Sequence, residues 1–187
     1  MLITPLTELD AVNEILYSIG EDGILSLEEV SNNVDASIAR KLLEGISRET
    51  QQEGWDFNTF TSATFTPDAN TGKIRWDDSL LRVGSTYRNR GGYFFDVSND
   101  TDVFTEAITV SNGVRLIPFE EMPDVFRKYV TIRASLAFAS RYLGDGEIES
   151  VLQAELQKAY ADVMTYELDT QKPNIFNNTS VTEVMTR

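Results

Sequence analysis

Three acidic pairs, Asp77/Asp78, Glu120/Glu121 and Glu147/Glu149, are of the right residue type to carry out chemistry. Two carboxyl groups acting as acid and base, or as acid and nucleophile, are the machinery of glycoside hydrolysis, but they must face each other across a sugar. Residues adjacent in sequence do not achieve that geometry by themselves. Glu147 and Glu149 also fall in the first turn of an expected helix, where the macrodipole favours negative charge. A glycan hydrolase using paired carboxylates is kept as the alternative reading. The stretch Asp22-Gly23-Ile24-Leu25-Ser26, with Glu29 behind it, has the form of the second half of a calcium loop. The first and third ligand positions would then be Ser18 and Gly20, where carboxylates are required, so the stretch reads as a turn between helices. The segment Arg88-Asn89-Arg90-Gly91-Gly92-Tyr93 mixes bases with an aromatic ring, and Lys73, Arg75 and Arg82 precede it. Asp77, Asp78, Asp96, Asp100 and Asp102 offset that charge, and Gly91-Gly92 marks a tight bend in a strand. Arg88 and Arg90 fit better as planar partners for the carboxylates of a neighbouring subunit.

The composition narrows the chemistry further. The chain has 187 residues with no histidine and no cysteine. The usual general base, the commonest zinc ligand, the triad partner, thiolate chemistry and disulfides are all missing. No catalytic residue, metal or cofactor is expected. The net charge of -14 argues against a protein that grips nucleic acid by its backbone. Residues 1–30 contain no Lys or Arg but carry Glu8, Asp10, Glu14, Glu21, Asp22, Glu28 and Glu29. Such a surface keeps a protein soluble, and it would let a duplex slide past without sticking. A hydrophobic content of 41% supports a folded core. No apolar run is long enough to span a bilayer, and residues 1–20 lack the basic start of a signal peptide, so a soluble, unexported protein is expected.

Helical periodicity appears at both ends of the chain. Thr7 is the expected N-cap of a helix over Thr7–Ile19 with Leu9, Val12, Leu16 and Ile19 on one face, ended by Gly20. Asn33 or Asp35 caps a second helix over Val34–Glu53, with the stripe Val34, Ile38, Leu42 and Ile46 and a stop at Gly54. Trp55, Phe57 and Phe60 then plug one end of the helical core. Pro123 stands at the first helical position of a third helix, Pro123–Leu143, with Phe126, Tyr129, Val130, Leu136, Ala137 and Leu143 in phase. Gly144 and Gly146 break the run. A fourth helix over Glu147–Asp169 follows, with Ile148, Val151, Leu152, Leu156, Ala159, Val163 and Tyr166 in phase. Between Thr59 and Pro118 the period becomes alternating, with Tyr93, Phe95 and Val97 on one strand face. Asn112-Gly113, between Ala107–Val110 and Val114–Ile117, signals a hairpin. The expected fold is α+β: a helical bundle from residues 1–57 and 119–170, a β-rich insertion over 58–118, and an extended tail over 171–187. The polar tail carries the spaced apolar anchors Ile175, Phe176, Val181 and Met185, which with Arg88 and Arg90 are the candidate partner-binding residues.

Three blocks together resemble a known family. They are Ala11-Val12-Asn13-Glu14-Ile15-Leu16 before Ser18-Ile19-Gly20-Glu21, Arg88-Asn89-Arg90-Gly91-Gly92-Tyr93, and Glu121-Met122-Pro123-Asp124 with the helix pair behind it. In this order and spacing, from about Thr7 to Asp169, they look like the tail tubular protein A family, the head-to-tail adaptors of short-tailed, T7-like bacteriophages. The resemblance implies a homo-oligomeric ring, a dodecamer, seated in the virion between the portal protein and the tail nozzle (tail tubular protein B). It further implies that DNA passes through the lumen without specific binding, and that assembly takes place in the host cytoplasm.

Overall fold

The computed structural model describes residues 5–84 and 86–171, and the fold is α+β. Four helices, α1 (Glu8–Tyr17), α2 (Val34–Gln52), α3 (Asp124–Tyr142) and α4 (Gly146–Gln171), enclose one core. Five strands, β1 (Thr59–Phe65), β2 (Leu80–Val83), β3 (Tyr87–Arg90), β4 (Tyr93–Asp96) and β5 (Ile108–Arg115), lie between α2 and α3 in the chain.

Capping sets the helix starts. The Thr7 hydroxyl accepts from the Asp10 amide, and the Asp10 carboxylate accepts from Thr7 in return. Further donors at this end are met from far along the chain, with the Leu6 amide donating to Asp124 and that of Glu8 to Glu120. Asn33 accepts from Ala36 to cap α2. Pro123 stands one position earlier than expected, as the N-cap of α3. Asp145 accepts from the amides of Glu147 and Ile148 to start α4, which runs on to Gln171. Gly20, Gly54 and Gly144 adopt the positive φ that ends a helix in a left-handed residue.

The helical core centres on Phe126, whose ring meets Trp55 at 5.0 Å, Phe57 at 4.6 Å and Tyr166 at 6.0 Å. Ala11, Val12, Ile15 and Leu16 of α1 and Val130, Ala134 and Phe138 of α3 complete it with Ala36, Ala39, Leu43 and Ile46 of α2. Here the expected α2 stripe needs correcting: Val34 and Ile38 are exposed and Leu42 is half-buried. Small alanines at 36 and 39 let the helix backbones approach closely, which rotates the bulkier stripe away from the core. Leu136 is likewise only half-buried, and Leu143 and Val151 are exposed.

The strands form a β1-β5-β2 antiparallel sheet and a β3-β4 hairpin. They share a second core of Ile74, Trp76, Leu80, Phe94, Ile108 and Val110, against which Phe60 packs, away from Trp55 and Phe57. Phe94 and Asp96 are the buried residues of β4, so the expected face of Tyr93, Phe95 and Val97 is the outer one. The expected hairpin at Asn112-Gly113 does not form. β5 continues through both residues, paired on one edge to β1 from Thr59↔Val114 to Phe65↔Ile108 and on the other to β2 from Leu80↔Arg115 to Val83↔Gly113. Glycine is needed there because the Phe60 ring crosses the strand, and a Cβ on Gly113 would lie 2.6 Å from its Cε1. Gln51 joins the two cores. Its fully buried amide accepts from the Ile117 amide at 2.7 Å and donates to the Ile117 carbonyl at 3.0 Å.

Candidate assembly surfaces

The β3-β4 hairpin turns through Gly91 and Gly92, both at positive φ, with the Asn89 side chain accepting from the Gly92 amide. That geometry agrees with the tight bend expected from the sequence. Arg88 sits opposite Phe95 and donates to the Tyr87 carbonyl, while the Arg90 guanidinium lies 3.6 Å from the centre of the Phe95 ring. Stacking on an aromatic face fixes a guanidinium without neutralising it, so the hairpin presents Arg90 as a pre-positioned, exposed cation. The inner face is held by Phe94, packed against Trp76 at 4.6 Å and Phe65 at 4.8 Å. Asp96, at the end of β4, is held below the usual carboxylate range by the Asn99 side chain and by the amides of Asn99 and Ser98.

A second surface is an open groove of about 670 Å³ between α2 and α4, with α3 as its floor. Leu42, Leu136, Ala137 and Leu156 are its half-buried apolar lining. Arg133 is paired to Glu49 at 2.9 Å, whereas Lys41 and Arg141 make no ion pair among the described residues. The outer parts of α4 add exposed Val151, Tyr160, Met164 and Leu168. The helix itself buries Ala159, Val163 and Glu167.

Three members of the acidic pairs, Asp77, Asp78 and Glu120, are engaged with other partners. The Asp77 carboxylate accepts from the Ser79 amide, which holds its pKa down, while Asp78 lies 4.0 Å from Arg75. Glu120 accepts from Glu8 and pairs with Arg127 at 3.6 Å. Glu147 and Glu149 stand in the first turn of α4. Among the described residues, no group of three or more acidic side chains is arranged to hold a metal. The Asp22–Ser26 stretch, expected as a turn, is an extended connection that bends at Leu25-Ser26, and it is held in place: the Asn13 amide accepts from the Ile24 N–H at 2.8 Å and donates to its carbonyl at 3.0 Å. Ile24 is buried, the Leu25 amide donates to Glu29, and the Leu25 side chain is left 87% exposed.

Of the expected partner-binding residues, Arg88 and Arg90 share one hairpin, while Ile175, Phe176, Val181 and Met185 lie outside the described residues. The sequence reading did not single out the groove or Leu25. The apolar Val34-Ile38-Leu42 repeat, of which only Leu42 packs against the core, was the available signal. No helix among the described residues is long and apolar enough to cross a membrane. The sequence profile of the family described as tail tubular protein matches residues 9–173. No curated protein matches the chain.

Proposed function

Because the chain belongs to the tail tubular protein family, and so is a structural protein of the phage tail, we propose that it is the head-to-tail adaptor. In this reading, copies close into a dodecameric ring between the portal protein and the tail nozzle, tail tubular protein B, and line part of the DNA ejection channel. The observation that carries the reading is the apolar surface left outside the helical core: Val34, Ile38, Val151, Met164 and Leu168 are exposed around one open groove or on the helices that border it. Apolar side chains left uncovered on the helices around a groove favour an interface there. The net charge of -14 suits a bore that carries DNA without holding it. Arg88 and Arg90 serve as contacts to carboxylates of an adjacent copy, and Ile175, Phe176, Val181 and Met185 as anchors on the portal.

Native mass spectrometry of the full chain, alone and with portal protein, tests the ring. One species of twelve copies is expected, and a monomer under both conditions overturns the reading. Removing residues 172–187 should leave the melting temperature unchanged and abolish portal attachment. Full attachment of the truncated chain would move that role to the described surfaces.

A further inference from the structure

The groove between α2 and α4 and the loop that carries Leu25 have complementary chemistry. Leu25 is an apolar knob, 87% exposed, yet its backbone is not free. Asn13 clamps Ile24 through both of its backbone groups, and Glu29 accepts from the Leu25 amide. A side chain carried on a fixed backbone has less freedom to lose on binding than one on a mobile loop. Glu21, Asp22, Glu28 and Glu29 flank it in the sequence, with no base in residues 1–30. The groove has the opposite character. Leu42, Leu136, Ala137 and Leu156 form its apolar part, Arg133 neutralises Glu49 at 2.9 Å, and of the other charges in its lining the cations Lys41 and Arg141 outnumber Glu149, none of the three ion-paired among the described residues.

The groove and the helix that holds the loop lie on different sides of α3. α1, to which the loop is clamped, approaches α3 at Ser135, where the Ser18 hydroxyl donates to the Ser135 carbonyl at 3.5 Å. The groove is built on Ala137 and Arg133 of α3. At about 100° per residue these lie roughly 200° around the helix from Ser135, so α1 and the groove are on opposite sides of α3. A knob on one side and a slot on the other make a heterologous contact, which closes into a ring when the rotation between copies matches.

We propose that the Leu25 loop of one copy docks in the α2-α4 groove of the next, with its acidic flanks against Lys41 and Arg141. This rests on the self-assembly reading above and assigns it an interface. The occupant is a second copy of this chain.

The absence of native cysteine makes disulfide trapping the direct test. Full-length chains carrying Leu25→Cys and Ala137→Cys together are oxidised across a concentration series and separated under denaturing conditions. A ladder of covalent multimers that neither single variant gives is the expected result. Leu25→Asp, at an exposed position that folding does not need, should raise the concentration required for assembly about tenfold or more in sedimentation. Assemblies that form equally well with Leu25→Asp and give no ladder overturn this interface while leaving the ring intact. A wild-type chain that stays monomeric throughout, with no ladder from the double variant, overturns the ring reading and this inference together.

Discussion

Replacing Gln51 with methionine should cost this protein more stability than most surface changes, because one side chain fastens the end of the sheet to the helical core. Methionine keeps the length and volume and removes the polar groups. The lost bonds are the Ile117 amide to Oε1 at 2.7 Å, Nε2 to the Ile117 carbonyl at 3.0 Å, and Nε2 to the Ser47 hydroxyl at 3.1 Å. Each bond contributes about 1 kcal/mol net, and an orphaned buried backbone group costs about 1–3 kcal/mol. Ile117 is only half-buried, so water recovers part of that cost, and roughly 2–4 kcal/mol of destabilisation is expected. For a chain of this size that lowers the melting temperature by roughly 5–15 °C. The assay is thermal unfolding followed by far-UV circular dichroism, with exposed Gln52→Met as the control. A Gln51→Met protein that melts within about 2 °C of wild type would show that the clamp does not couple the two cores.

Phe126→Ala should cost about 3–5 kcal/mol, measured by urea denaturation, because it removes the ring at the centre of the Trp55, Phe57 and Tyr166 contacts. Gly113→Ala should destabilise by about 1–3 kcal/mol through overpacking against Phe60, and adding Phe60→Leu should recover part of that loss; no recovery would remove the steric explanation. Burial raises the Glu14 pKa, with Asp10 and Glu155 pushing the same way and Lys128 opposing. The folded state therefore favours the protonated acid, and stability present at low pH declines as pH rises through the carboxylate range. The carboxylate keeps a solvent-facing edge, so the effect is small. Glu14→Gln should melt slightly higher than wild type at pH 7 and equally at pH 3, as read by melting curves at both values.

The features fixed by local chemistry were readable from the sequence. Thr7 and Asn33 cap helices because their oxygens sit three residues before a free amide, and Gly54, Gly91, Gly92 and Gly144 mark places where the backbone needs positive φ. Burial direction was harder to read. On α2 two faces compete, and hydrophobicity favours Val34-Ile38-Leu42 over Ala36-Ala39-Leu43, yet close helix approach selects the alanines. Asn112-Gly113 carries a turn signal at the residue level and a strand at the tertiary level, because flanking strands pair with both sides of it. The arginine hairpin was visible as a motif. The groove and the Leu25 knob depend on which residues the fold leaves uncovered, and that requires the packing of three helices.

The amides at the start of α1 find their acceptors on Glu120 and Asp124, 112 and 118 residues downstream, and Arg127 in turn donates to the Leu6 carbonyl. On the ribosome the first helix therefore emerges long before the residues that complete it. At typical elongation rates that interval is roughly 6–25 s. Through that time α1 has neither its distal caps nor Phe126 and Phe138 to cover Val12 and Leu16. The run of carboxylates from Glu8 to Glu29, with no base among them, keeps like-charged nascent chains apart during the same interval. Like-charge repulsion thus opposes contact between uncovered apolar stripes until α3 has been made.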